Sequence, residues 1–290
     1  MSAAPEPRRS PVGPLLVVGA GVSVQCGAAL ATHLFDRIGP LSTVWLRLAF
    51  GAALLLVVAR ARRGQRDARF DLRTVVVFGV VVAFMNTCFY ESIDRLPLGV
   101  AVTIEFLGPL AVAAVASRRR LDLLWIALAG CGVAALGSPT SDVDAVGVLF
   151  ALAAGAGWAA FVVVGRRIST RGSLLDGLSV GLVVAAAVLA PFGIALRDGP
   201  LLDGRTLALG VAVAALSSAL PWVLELGSLR YVSLTGYGVL VSLEPAIAAV
   251  VGAVALSQSL GPVEIAATAA VVAASVGASM RAPVPEAPPT

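Results

Sequence analysis

Apolar runs of about 20 residues recur along the whole chain, at 13–33, 42–60, 74–93, 97–116, 122–138, 146–165, 177–196, 206–228, 235–256 and 262–280. A helix rises 1.5 Å per residue, so each run is about long enough to cross the roughly 30 Å hydrocarbon core of a bilayer. Only 13% of the 290 residues are charged and 58% are hydrophobic. An average soluble domain is about 25% charged. A soluble chain of this length would need far more polar surface, so the expectation is an all-α integral membrane protein with ten transmembrane helices.

The arginines orient the spans. All 21 basic residues are Arg. With the N-terminus inside, sixteen fall on the cytoplasmic side: Arg8, Arg9, Arg60, Arg62, Arg63, Arg66, Arg69, Arg73, Arg118, Arg119, Arg120, Arg166, Arg167, Arg171, Arg230 and Arg281. Four (Arg37, Arg95, Arg197 and Arg205) fall outside, and Arg47 lies within a span. Such a bias in alternating loops is the positive-inside pattern, and it puts both termini in the cytoplasm. Arginines spread between apolar runs form no single basic face, so nucleic acid is not an expected partner. Residues 1–12 and 281–290 are polar or proline-rich and read as cytoplasmic tails. Arg8, Arg9 and Ala29-Leu30-Ala31 give the first run the look of a secretory leader. The span count needs that run, so it is expected to stay.

Two runs carry a carboxylate. Thr103–Pro109 (Thr-Ile-Glu-Phe-Leu-Gly-Pro) holds Glu105, and Val241–Pro245 (Val-Ser-Leu-Glu-Pro) holds Glu244. A charged side chain at the bilayer centre costs about 2.5–3.5 kcal/mol on insertion scales, so it usually faces a cavity or a partner. Pro109 and Pro245 each remove a helix hydrogen bond, freeing the carbonyls of Glu105 and Val241. The halves also resemble each other. Ser92–Gly99 is similar to Ser228–Gly236, and Gly79 in its setting is similar to Gly210. Two copies of five helices, 13–138 and 145–280, would enter the membrane with opposite topology, because five is odd. Inverted repeats with interrupted, acidic helices are a transporter architecture.

Other polar residues lie within the runs. Arg47 could snorkel to the headgroups, pair with a glutamate, or grip a substrate carboxylate with its planar fork. Asn86 and Gln25 are intramembrane amides that could bind a polar solute or simply bond between helices. Glu91 and Glu225 lie near span ends, where an interfacial role competes with a functional one. Pro221 after Ser217 and Ser218 marks a kink, and Gly177-x-x-x-Gly181 allows close helix packing. Cys26, Cys88 and Cys131 form no Cys-x-x-Cys pair, which supports neither a disulfide framework nor a zinc site. The lone His33 stands near a segment end, and no catalytic motif is present, so an enzyme is not expected.

Several blocks together resemble a known family. They are Met85-Asn86…Phe89-Tyr90, Pro97-Leu98-Gly99, Glu105-Phe106-x-Gly108-Pro109-Leu110-Ala111-Val112, Ser217-x-Ala219-Leu220-Pro221 and Glu244-Pro245-Ala246. They look like the EamA-type branch of the drug/metabolite transporter superfamily, and most like its inner-membrane threonine/homoserine exporter subgroup. The resemblance covers nearly all of residues 13–280. It implies two five-helix EamA repeats and efflux of small amino acids. Glu91 departs from the family pattern, which has an apolar residue there. Glu105 or Glu244 would meet a substrate ammonium or a proton; Arg47 or Asn86 would meet its carboxylate. The expected partners are a small amino acid or related metabolite, protons, membrane lipid and, left open, a second copy of the chain in a homodimer. No cofactor or metal is expected. Export of cationic or other small metabolites or drugs is the alternative.

Overall fold

A computed structural model describes residues 11–61, 71–117, 120–136, 143–171, 174–228, 231–232 and 234–280. The expected tails, apart from Pro11 and Val12, lie outside the described residues, as do Arg62, Arg63, Arg66, Arg69, Arg118, Arg119 and Arg230 of the inner links. Every regular element among the described residues is helical.

The first half holds α1 (Val12–Ile38), α2 (Pro40–Ala61), α3 (Leu72–Ile93), α4 (Leu98–Glu105), α5 (Leu107–Ser117) and α6 (Arg120–Leu136). The second holds α7 (Ala145–Arg171), α8 (Leu174–Ala195), α9 (Gly204–Ala214), a π-helical turn (Ala215–Ala219), α10 (Leu220–Ser228), α11 (Leu234–Val241), α12 (Glu244–Ala255) and α13 (Pro262–Ser279). Several helices outrun the apolar runs that nucleate them. The link expected at 34–41 shrinks to Gly39, which takes φ 79° and donates its N–H to Phe35 O at 2.9 Å. Glycine adopts that backbone freely, and Pro40 suits the first turn of the next helix. Asp71 begins α3 by accepting from Arg73 N–H and, at 2.6 Å, from the Thr74 hydroxyl. Asp203 begins α9 by accepting from Thr206 N–H at 3.2 Å, and it also pairs with Arg37 at 2.9 Å. The Thr206 N–H foremost, and the Arg37 charge with it, hold the Asp203 carboxyl below the usual carboxylate range.

Eight helices among the described residues are long and apolar enough to cross a membrane, not ten; Leu98–Val112 is a shorter apolar helix. The shortfall falls on two expected spans. The fourth is interrupted at Phe106, and the fifth, α6, has 17 residues. Large apolar side chains such as Leu15, Val57, Leu149 and Val254 are exposed on the outside, while Leu34, Ile38, Phe78 and Tyr90 are buried. An apolar exterior over a packed interior suits a lipid surround.

The two halves interlock. α1 packs on α9, the π turn and α10, while α7 packs on α3. α2 packs on α8, α4 on α12, and α6 on α13. Thus the first helix of each half lies against the third helix of the other, and the second, fourth and fifth pair with their counterparts. Small residues let these helices approach. A methyl added at Gly157 of α7 would come within 2.9 Å of Met85 Cβ on α3. One added at Gly27 of α1 would land on the Ser217 hydroxyl. The similar glycines noticed in sequence have matching duties: Gly79 meets Val184 and the Gly181 carbonyl on α8, and Gly210 meets Leu46 on α2.

Candidate functional site

The two acidic prolines interrupt their helices differently. α4 ends at Glu105 and α5 begins at Leu107, with Pro109 unable to donate to the Glu105 carbonyl. α11 ends at Val241, Ser242 and Leu243 form a turn, and α12 begins at Glu244. Pro245, second in α12, has no N–H for the Val241 carbonyl. Glu105 therefore closes one half-helix, and Glu244 opens another.

A third interruption comes from Pro221. Just before it the helix widens into the π turn, where Leu220 N–H bonds Ala215 O. That shift, with the missing proline donor, releases the carbonyls of Leu216 and Ser217. Ser23 of α1 donates its hydroxyl to Leu216 O at 2.7 Å, and Arg47 of α2 donates to Ser217 O at 3.3 Å. Arg47 also donates to the Asn86 amide oxygen. Asn86 is oriented by its own bond to Val82 O at 2.8 Å. The guanidinium lies 5.5 Å from the Tyr90 ring centroid, within cation–π range. Arg47 thus turns inward to join the third helices of the two halves, and the snorkelling alternative is set aside.

These elements enclose a cavity of about 330 Å³. Gln25, Arg47, Asn86, Glu105, Pro221 and Glu244 all line it. So do Ser217, Glu225 and Tyr237, with Val24, Met85, Phe89, Val102, Trp158, Phe161 and Val241 as apolar wall. Glu105 is buried and Glu244 is half-buried. Neither glutamate forms an ion pair with Arg47 among the described residues. Among the described residues, Gln25 Oε1, Ser217 Oγ and Arg47 Nε are buried without a hydrogen-bond partner of normal geometry. Such orphans are uncommon in native proteins and cost about 1–3 kcal/mol each, so three residues of one cavity wall carry unused hydrogen-bonding capacity.

Three residues singled out in sequence stand elsewhere. Glu91 does not line the cavity; it pairs with Arg95, four residues on, at 2.7 Å. Pro245 is buried in α12. Pro109 lines a second cavity of about 140 Å³ with Ser242, Ser275 and Ser279. The Phe106 and Trp158 rings, packed edge to face at 5.0 Å, border that space too. Glu225, which its place near a span end leaves ambiguous, is in the main cavity, where the Tyr237 hydroxyl faces its carboxylate. Tyr237 escaped the sequence reading. Its one sequence signal is a spacing of seven residues from Glu244, and the turn at Ser242 and Leu243 takes the two off a single continuous helix.

Known proteins resemble this chain in sequence and in fold. The chain matches the EamA-like transporter family over residues 11–138 and again over 145–280. The threonine/homoserine exporter RhtA of Salmonella typhimurium (strain SL1344) is 38% identical over 278 residues, 94% of each chain. RhtA of Escherichia coli (strain K12) is 38% identical over 269 residues, 92% of this chain and 90% of its own. A solved crystal structure superposes with a TM-score of 0.62 over 94% of this chain and 98% of its own, at 18% identity, a likeness of fold alone. A chain that carries the family pattern twice, an apolar exterior and a polar internal cavity is a multi-pass membrane protein, and it belongs to the EamA-like transporter family.

Proposed function

We propose that this protein is a secondary active transporter that exports small amino acids of the threonine and homoserine kind by alternating access, in exchange for protons. The observation that carries this reading is the shared cavity, with Arg47 and Asn86 on its wall together with Glu105 and Glu244. A zwitterion needs donors for its carboxylate and an anion for its ammonium, and this lining offers both. A cavity of 330 Å³ is at the small end of ligand sites, which run from about 300 to 1,000 Å³, and it suits a small amino acid better than a drug-sized guest. The relatives named threonine/homoserine exporters support the substrate class. A glutamate in such a site can carry a proton in one state and the substrate ammonium in the other, which couples the two flows.

Ten spans follow if the interrupted fourth segment and the short α6 cross alongside the eight longer helices. The reciprocal packing of the halves supports two inverted five-helix repeats, taken as residues 13–138 and 145–280. The arginine bias supports cytoplasmic termini in a cell or inner membrane. A second reading, export of cationic compounds, draws on Glu225: three carboxylates and one guanidinium line the cavity. Transport that survives Arg47→Ala would favour it.

The test is flux in proteoliposomes. Radiolabelled threonine and homoserine are followed across an imposed pH gradient, with Glu105→Gln as control. Gradient-driven flux that the mutant loses is the expected result. Flux of neither amino acid, in vesicles holding folded protein, would refute the substrate class and turn attention to cationic compounds.

A further inference from the structure

Once Arg47 with Asn86, and the glutamates, are assigned to the two ends of a zwitterion, one polar pair in the cavity wall has no task. Gln25 is 2% exposed, and its Oε1 lacks a hydrogen-bond partner. The Ser217 hydroxyl, beside that of Tyr90, makes no hydrogen bond of normal geometry among the described residues. Both residues line the cavity.

Their positions follow from α1. Gly21, one turn before Gln25 on the same face, lies against α12: a methyl there would sit 3.6 Å from Glu244 Cγ. Gly21 so lets α12 come close to α1, and Gln25, one turn further along the same face, stands near the break at Glu244. On its other side, Gly27 brings α1 against Ser217, and the Ser23 bond to Leu216 O fixes that contact. Gln25 thus stands on α1 between the contact with the acidic break at Glu244 and the contact with the π turn.

An amide offers one acceptor and two donors, and a serine hydroxyl offers both functions. An ammonium only donates, and a carboxylate only accepts. A hydroxyl donates one hydrogen bond and accepts others, so it is the group that matches Gln25 and Ser217 together. We infer that Gln25, assisted by Ser217, recognises the side-chain hydroxyl of the transported amino acid and so sets the preference for hydroxylated substrates. This inference rests on the amino-acid reading of the cavity. Its physical basis is a known asymmetry: a site built to bond a hydroxyl strongly rejects the analogue without one, because its own buried polar groups then stay unpaired.

Threonine and valine are the right probes, since they differ by a hydroxyl replaced with a methyl. The measurement is competition of each against labelled threonine in proteoliposomes, for wild type, Gln25→Met and Gln25→Asn, each checked for monodispersity. Wild type is expected to prefer threonine by at least about tenfold, and Gln25→Met to reduce that ratio by about tenfold, chiefly through weaker threonine competition. Gln25→Asn draws the amide back by one methylene. It should shift preference from threonine toward homoserine, whose hydroxyl reaches further, and it keeps the inference testable should Gln25→Met not fold. A threonine-to-valine ratio within twofold of wild type in Gln25→Met, or an unchanged homoserine-to-threonine ratio in Gln25→Asn, would overturn it. Failure of the amino-acid reading looks different: wild type itself would move no threonine, homoserine or valine.

Discussion

Both halves contain a carboxylate beside a proline in an interrupted helix, yet the two interruptions are built differently. Glu105 is the last residue of α4, at the helix end whose dipole opposes a negative charge. Glu244 is the first residue of α12, at the end that favours one. Their surroundings differ as well. Beside Glu105, α5 crosses α7 backbone to backbone: a methyl at Gly108 would land on the Gly155 carbonyl, and one at Gly155 would lie 2.8 Å from Glu105 O. Beside Glu244, α12 meets α1 through the end of a flexible side chain, Ile247 Cδ1, 3.2 Å from where a Gly21 methyl would sit. One sequence device therefore lies at a backbone-to-backbone crossing in the first half and beside a side-chain contact with α1 in the second. The neighbouring glycines decide which.

Exchange of the carboxylates tests that contrast most severely. Glu105→Gln should abolish pH-gradient-driven efflux, while Glu244→Gln should keep a response to the gradient and weaken substrate binding by roughly 30-fold or more, the scale for losing one partner of a buried charge pair. Equal pH responses in the two mutants, read by flux at several external pH values, would erase the distinction. Next comes packing. Gly108→Ala should destabilise the protein by about 1–3 kcal/mol, because backbone atoms must move, and Gly21→Ala by less than about 1 kcal/mol. Thermal unfolding in detergent would rank them, and the reverse order would remove the packing contrast.

Away from both interruptions the effects should shrink. Asp203→Asn should lower the unfolding temperature at neutral pH, and the gap from wild type should close on acidification. The folded carboxyl is held below its ordinary value, so its contribution is present above an unfolded pKa of about 4 and is lost as pH falls through the lower folded value. A gap that widened in acid would contradict this. Glu91→Ala removes a partly exposed pair with Arg95 and should change stability by no more than about 0.5 kcal/mol, with amino-acid flux kept. A large loss of flux would bring Glu91 back into the site.

Much of this was legible in residues. Intramembrane charges and amides are expensive, so Gln25, Arg47, Asn86, Glu105 and Glu244 stood out against their apolar runs, and all five line one cavity. Proline positions foretold where three helices are interrupted. Other features depend on contacts that no local pattern encodes. Tyr237 looks like an ordinary aromatic until Glu225 faces it across the cavity. Glu91 looked notable because it departs from the family pattern, but Arg95 one turn on takes it up. The kink at Pro221 was visible; the π turn, and its offer of two carbonyls to Ser23 and Arg47, required the neighbouring helices. Helix ends also ran past the apolar runs, because a membrane-length ruler measures hydrocarbon and not the helix that continues beyond it.

The interlocking of the halves bears on how such a protein is made. When Leu136 has been synthesised, α3 still lacks α7, and Arg47 still lacks the Ser217 carbonyl that lies far along the unmade chain. A first half on its own therefore presents the helix faces and polar groups that the second half covers in the folded chain. Separately encoded halves, divided between Leu136 and Val143, should each be short-lived alone and rescue one another when made in the same cell.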